Sequence, residues 1–394
     1  MYNPCHRVWH GFSKNAKEPA PAMRICQISD THLGYSEYGK ISAQSGLNQR
    51  EQDFYDAWYQ AIDRIAVLQP DLVVHAGDLF HTPRPSNRAI RVALEGIRKI
   101  SSAGIPMVLV SGNHETPRIR STGSIFESLA LFPGIFSIYD SQYQRLTFGG
   151  LDVHAIPHCA LSEELEAACG SIAIRPEAQR NLLVTHGVWT QTDTFSMGEF
   201  NEQRLPDLTA LHPGVFAHVA LGHYHRRVDV AAQVSYCGAT ERTSLNQAGY
   251  SCGFLEVDLE SGERRYHELA VRPMLRLKPV DCRGIGLQEL YDRVAALAGD
   301  IPEGAIVQLI LNGVDENLYL ALEMRRLDEF FPAVFQLEKQ VNIAAAAAAM
   351  PAPVLHFDAL GVEFGRYLAG QPEMALDRER LQHLGSRYLE EEEE

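Results

Sequence analysis

Nothing in this sequence is built to cross a membrane. No stretch approaches the roughly 20 consecutive apolar residues that a bilayer span requires. Residues 1–22 carry Pro4, Lys14, Lys17, Pro19 and Pro21 but no apolar core of the kind a secretory signal needs. Cysteine is scarce and scattered. Cys5, Cys26, Cys159, Cys169, Cys237, Cys252 and Cys282 are odd in number and form no CxxC pair. Neither a disulfide framework nor a zinc knuckle is therefore expected, and a reducing cytoplasm is the expected compartment. Positive charge is short too: 35 Lys and Arg against 50 Asp and Glu leave a net charge of −15. Proteins that grip nucleic acid by bulk electrostatics usually have the opposite balance. Five of the negative charges sit in the terminal glutamate run, residues 390–394, which leaves room for a local basic groove. The GxxxxGK[ST] phosphate loop is absent, so any ATP-driven motion must come from another polypeptide. Serine-hydrolase chemistry is not expected, and no internal repeat is present.

What is present is the composition of a folded protein. Hydrophobic residues make up 45% and charged residues 22% of 394, which excludes wholesale disorder and allows two or three domains. Residues 1–22 are expected to be a disordered extension. Residues 23–273 alternate short β-rich runs with helical stretches, an α/β pattern. Residues 24–29, 72–76, 107–110, 151–156, 181–185 and 218–221 read as strands, several of them continuously apolar as strands covered on both faces should be. Residues 53–68 and 87–103 read as helices, with Phe54, Trp58, Ile62 and Ile65 at helical spacing on the first. Large apolar residues in that pattern usually face a core, so Phe54 and Trp58 are expected to be buried. Further β-rich runs fall at 228–237 and 253–257. Residues 274–340 read helix, strand, helix, strand, a small α/β appendage whose second helix spans 318–331. An alanine- and proline-rich linker, 341–355, follows. Residues 356–394 hold two short amphipathic helices, with Phe357, Leu360, Phe364 and Leu368 on one face and Leu381, Leu384 and Tyr388 on another, before the acidic tail.

Five short clusters carry the chemistry, each after a predicted strand: Asp30-Thr31-His32, Gly77-Asp78-Leu79-Phe80-His81, Gly112-Asn113-His114-Glu115, Thr185-His186-Gly187 and Gly222-His223-Tyr224-His225. Open α/β sheets place ligand sites in such loops. One polar strand end is ordinary turn chemistry; five offering the same ligand types are not. Carboxylate, imidazole and amide oxygen suit manganese, iron or zinc, and the missing thiolates argue against structural zinc. Asp78 could bridge two cations, with Asp30, His32 and His225 on one and Asn113, His186 and His223 on the other. Two metals about 3.5–4 Å apart would clamp an in-line phosphoryl displacement and generate a hydroxide nucleophile near neutral pH.

The series D-x-H, GD-x-x-H, GNHE, H and GHxH, in this order, resembles the calcineurin-like metallophosphoesterase superfamily. Residues 29–35, 76–81 and 84–86 narrow the resemblance to the SbcD-type DNA-repair nucleases, bacterial relatives of the meiotic-recombination-eleven nuclease, over residues 23–243. The resemblance implies a two-sheet metallophosphoesterase sandwich flanked by helices, with a small capping domain and C-terminal helices. It implies that Asp30, His32, Asp78, Asn113, His186, His223 and His225 bind two manganese ions. His114 would protonate the leaving oxygen or stabilise the phosphorane, and His81, where bacterial relatives often have Asp, would position the substrate phosphate. Glu115 stands where the family commonly has Asp and is expected to orient ligands. Residues 274–340 would cap the DNA groove, and the terminal helices would dock on an SbcC-type ATPase. The helices at 53–68 and 87–103 would form a homodimer. Among nearby basic residues, Arg84, Arg118 and Arg120 are candidates for phosphate contacts.

The implied activity is a manganese-dependent DNA exonuclease and endonuclease in double-strand-break processing. A phosphatase or cyclic-nucleotide phosphodiesterase on the same core, or a non-catalytic scaffold, are the alternatives. The complete ligand set weighs against the scaffold.

Overall fold

The computed structural model describes residues 8–9, 23–117, 123–189, 202–206, 213–344, 360–370 and 377–390. Its centre is a pair of stacked sheets. The first has six strands in the order Arg264–Glu268, Gly253–Asp258, Arg24–Ile28, Leu72–Ala76, Met107–Val110, Ile135–Ile138. The last four are parallel, linked by the helices Gln49–Leu68 and Asn87–Ser102 and the short helix Phe126–Leu129. The second sheet has seven strands in the order Val8–Trp9, Gln144–Phe148, Leu151–Ile156, Arg180–His186, His218–Gly222, Val234–Tyr236, Val228–Ala231. This is the two-sheet α/β sandwich flanked by helices that the sequence leads one to expect. The run at 228–237, read as a single β segment, is a hairpin, and the extension before residue 23 contributes the two-residue strand Val8–Trp9.

The apolar strands split their side chains between two cores. Leu72, Val74 and Ala76 face inward with Ile25 and Val108 and meet Val153, Leu182 and Val184 of the other sheet. Val73, Met107 and Leu109 face outward and pack on Trp58, Ile62 and Ile97 of the two long helices. Alternation at period 2 thus gives each strand two buried faces. Phe54 and Trp58 are fully buried, as expected of a core stripe. Asn48 caps the first helix by accepting from the Arg50 and Glu51 amides, and Ser86 caps the second by accepting from the Ala89 amide.

Residues 274–344 form a separate four-stranded parallel sheet on the central strand Ile306–Val314, covered by the helix Leu287–Leu297 and two shorter ones. The helix expected over 318–331 is broken into Glu316–Ala321 and Met324–Glu329. A continuous helix would turn Leu327 about 180° away from Leu318. The break returns Leu318, Leu322 and Leu327 to one buried cluster. The terminal helices are Leu360–Gly370 and Arg378–Glu390. The linker expected at 341–355 lies outside the described residues beyond Ala344. No helix among the described residues is long and apolar enough to cross a membrane.

Candidate metal centre

All five clusters follow parallel strands at the same end of the sandwich. Asp30, Asp78 and Asn113 lie just beyond the strands Arg24–Ile28, Leu72–Ala76 and Met107–Val110 of one sheet. His186 ends Arg180–His186, and His223 and His225 follow His218–Gly222 of the other. The loops are then laced together. The Asp30 amide donates to the Gly77 carbonyl, the His32 amide to the Asp78 carbonyl, and the His223 amide to Asp30 Oδ1, each at 3.0 Å. The His114 amide donates to Asp78 Oδ1 at 3.1 Å. Its companion, Asp78 Oδ2, is buried with no hydrogen-bond partner, 3.4 Å from His186 Nε2 and 3.8 Å from His32 Nε2.

This closeness is paid for in the backbone. Asp30, His32, Asp78 and His223 all adopt positive φ, at 52°, 42°, 56° and 107°. Side chains held in that region cost of order 1–3 kcal/mol each and persist only where the surroundings over-determine them. Two glycines make room. A Cβ on Gly112 would sit 2.1 Å from Asp78 Oδ1, and one on Gly77 would sit 2.3 Å from His186 Nδ1.

The donor set fits a pair of cations. One carboxylate oxygen of Asp30 and one ring nitrogen each of His32 and His225 lie within 4.8 Å of one another, as do single donor atoms of Asp30, Asp78 and His186. His32 Nε2 and His225 Nε2 are 2.9 Å apart, two bases aimed at one point. Asn113 Oδ1 lies 3.0 Å from His186 Nε2, and the other His186 nitrogen, Nδ1, donates to the Ala76 carbonyl at 2.9 Å. Burial would push Asp78 up, but the His186 and His32 rings beside it hold its carboxyl well below the usual range. Burial would lower His186; Asp78 overrides it and raises the ring to about 9. His32, buried among other rings, is driven well below its ordinary value. A buried anion beside histidines, with an orphaned oxygen between them, is what a cation pair would neutralise.

His114 and His81 line the open side. His114 is 23% exposed at its side chain while Asp78 is 1% exposed. The two rings stack with centroids 5.2 Å apart, and His114 Nδ1 donates to the His81 carbonyl at 2.8 Å. Arg84 is exposed, three residues past His81. Arg118 and Arg120 lie outside the described residues. Glu115 clamps two ligand loops together: Oε1 accepts from the Phe80 amide at 2.6 Å and Oε2 from the Gly112 amide at 2.8 Å. Burial beside Asp78 raises its pKa to about 8.

Sequence reasoning missed three contributors. Gln247 meets His225 Nδ1 at 2.8 Å, Glu202 Oε1 accepts from His223 Nε2 at 3.1 Å, and Gln203 Nε2 donates to the His186 carbonyl at 2.8 Å. None belongs to a motif, so only folding reveals them. The sequence also holds one G-x-S-x-G string, Gly249-Tyr250-Ser251-Cys252-Gly253. A nucleophile elbow needs a strand–turn–helix; here the string runs from a turn into the strand Gly253–Asp258, so it carries no serine-hydrolase site.

The family model for calcineurin-like phosphoesterases matches residues 23–227, just over half of the chain. The chain belongs to that family. As a member it is a metal-dependent phosphoesterase, and all five loops lie within the matched residues. Beyond the family match, the chain is 28% identical over 330 residues to the DNA double-strand break repair protein Mre11 of Thermoplasma acidophilum, covering 79% of this chain and 82% of the relative. It is 26% identical over 335 residues to the protein of the same name from Methanococcus maripaludis, covering 78% and 85%.

Proposed function

We propose that this phosphoesterase is a DNA nuclease of the double-strand-break repair type, cleaving phosphodiester bonds both from ends and internally. One observation carries the reading. Asp30, His32, Asp78, His186 and His225 form two overlapping donor groups, with Asn113 Oδ1 against His186 and the His223 amide on Asp30, in a chain that is similar to break-repair proteins over a span longer than residues 23–227. Asp30, His32 and His225 would hold one cation, and Asn113, His186 and His223 the other, with Asp78 between them. Manganese is the expected metal at both. When bound, the cations supply Lewis-acid charge to the scissile phosphate and acidify water near neutral pH.

The remaining work falls to side chains. His114 Nδ1 is committed to the His81 carbonyl, so Nε2, on the exposed side and 4.0 Å from Asp78 Oδ2, is the atom that would hold a proton for the leaving oxygen. His81, stacked on it, would position the phosphate, and Arg84, with Arg118 and Arg120, would contact the DNA backbone. The four-stranded unit at 274–344 would shape the DNA groove, and the helices Leu360–Gly370 and Arg378–Glu390 would dock on an SbcC-type ATPase in the cytoplasm. A homodimer would use the outward side of Asn87–Ser102, where Ile90, Leu94 and Phe132 line a shallow hollow. Phe54 and Trp58 are buried and cannot serve there.

The test is to incubate the protein and a His114→Ala variant with labelled linear and hairpin DNA plus manganese, with a phosphodiester dye alongside. DNA cleavage that vanishes in the variant while metal content is kept supports the reading. Dye turnover without DNA cleavage, with or without the ATPase, overturns it in favour of a small-substrate phosphodiesterase.

A further inference from the structure

His223 is held differently from its neighbour His186. His186 gives its Nδ1 proton to the Ala76 carbonyl, which leaves Nε2 on the Asp78 side, 3.4 Å from Oδ2. At His223 the arrangement is reversed. Its Nε2 faces Glu202 Oε1 at 3.1 Å, with the imidazole 1% and the carboxylate 10% exposed. A ring nitrogen against a carboxylate carries the proton, and the opposite nitrogen becomes the lone-pair donor.

Glu202 is not a surface carboxylate that has wandered in. The strand Arg204–Leu205 pairs in parallel with Val188–Trp189, directly after His186. Gln203, nearly fully buried, ties the segment from both sides: its Nε2 donates to the His186 carbonyl and its Oε1 accepts from the Cys159 amide at 2.6 Å. The Gln203 carbonyl accepts from the Val188 amide at 2.8 Å. The backbone that carries Glu202 is therefore anchored to the backbone that carries His186. On the other side, the His223 amide is fixed to Asp30 Oδ1.

We propose that Glu202 is a positioning residue for the second cation: it holds the His223 ring through Nε2–H, so that His223 ligates through Nδ1. The carboxylate makes the imidazole a stronger donor and sets its rotation. This inference rests on the two-cation reading of the centre. It assigns opposite ring nitrogens to His186 and His223 within one cation site.

The experiment titrates metal-free protein, Glu202→Ala and Glu202→Gln with manganese by calorimetry, and follows the spin-coupled signal of the manganese pair by electron paramagnetic resonance. Wild type should take up two equivalents. Glu202→Ala should still bind the first with wild-type affinity and bind the second about 10- to 100-fold more weakly, with the coupled signal appearing only at higher metal. Glu202→Gln keeps an oxygen acceptor and should recover much of that loss. An unchanged second affinity in Glu202→Ala overturns the proposal. So does complete loss of the second equivalent in both variants, which would make Glu202 itself a ligand. Wild type that binds a single equivalent overturns the two-cation reading instead. Circular dichroism of both variants separates these results from unfolding.

Discussion

At the scale of single residues, the centre is a set of side chains that would repel or strain one another unless something joined them. Asp30, His32, Asp78 and His223 hold positive φ, and His32 and His225 point nitrogens at each other across 2.9 Å. Glycine next to the ligands is what lets them approach. Replacing Gly112 by Ala would drive a Cβ into Asp78 Oδ1. Manganese affinity is expected to fall at least tenfold while most of the fold survives, and calorimetric titration checks this. His114 is a different case, because it touches the site from the open side. His114→Ala should lower the cleavage rate by roughly 10²- to 10⁴-fold, the usual range for a lost general acid, with bound manganese unchanged. Rate measurements beside metal analysis of the same sample decide it. The candidate ligand residues were legible in the sequence because the strand–loop rule and the donor types pointed to them independently. Glu202, Gln203 and Gln247 were not, since a residue that orients a ligand can come from anywhere the fold brings near.

At the scale of elements, the sandwich depends on how the helices Gln49–Leu68 and Asn87–Ser102 lie on the first sheet. Trp58 is fully buried between them, its indole N–H donating to the Val92 carbonyl at 3.2 Å. Gly96 faces that ring: an added Cβ would meet Trp58 Nε1 at 2.4 Å. Helix propensity alone says that Gly96→Ala should stabilise by about 1 kcal/mol. The packing clash should outweigh this, giving a net loss of about 1–3 kcal/mol, read from the urea midpoint at unchanged slope. Continuous apolar runs such as Leu72–Ala76 and Met107–Val110 announced themselves as strands. Gln144–Phe148 and Arg264–Glu268 did not, because they lie towards the sheet edges and alternate polar residues with few apolar ones. Local pattern also falls short at the broken helix at 316–329, where a continuous helix would point Leu327 away from Leu318 and its burial forces a new direction.

At the scale of the whole molecule, two buried histidines outside the candidate ligand set make stability depend on pH. His75 and His218 are fully buried, and burial pushes each ring down to about 3. His218 donates from Nε2 to Gln27 Oε1 at 2.8 Å, and His75 Nε2 meets the Thr31 hydroxyl at 3.1 Å. Both are neutral when folded, while the unfolded chain takes up protons below about pH 6.5. The unfolded state thus binds more protons between about pH 6.5 and 3, and stability should fall by about 1.4 kcal/mol per pH unit for each ring as pH drops through that window. Urea unfolding from pH 7 to 5 should show the slope, and His218→Gln should remove that one ring's share, about 1.4 kcal/mol per pH unit. The net charge of −15 looked unfavourable for DNA, yet it says nothing about one groove, because charge is a sum and a site is a place. The sequence alone determined the α/β class and the types and order of the candidate ligands, since apolar periodicity and the grammar of strand ends are local. Only the tertiary structure decided which loops meet, which nitrogen of each ring faces inward and which carboxylates stand behind them. Those depend on parallel strands of two sheets ending side by side, a relation between residues up to 195 apart, as Asp30 and His225 are, that no local pattern records.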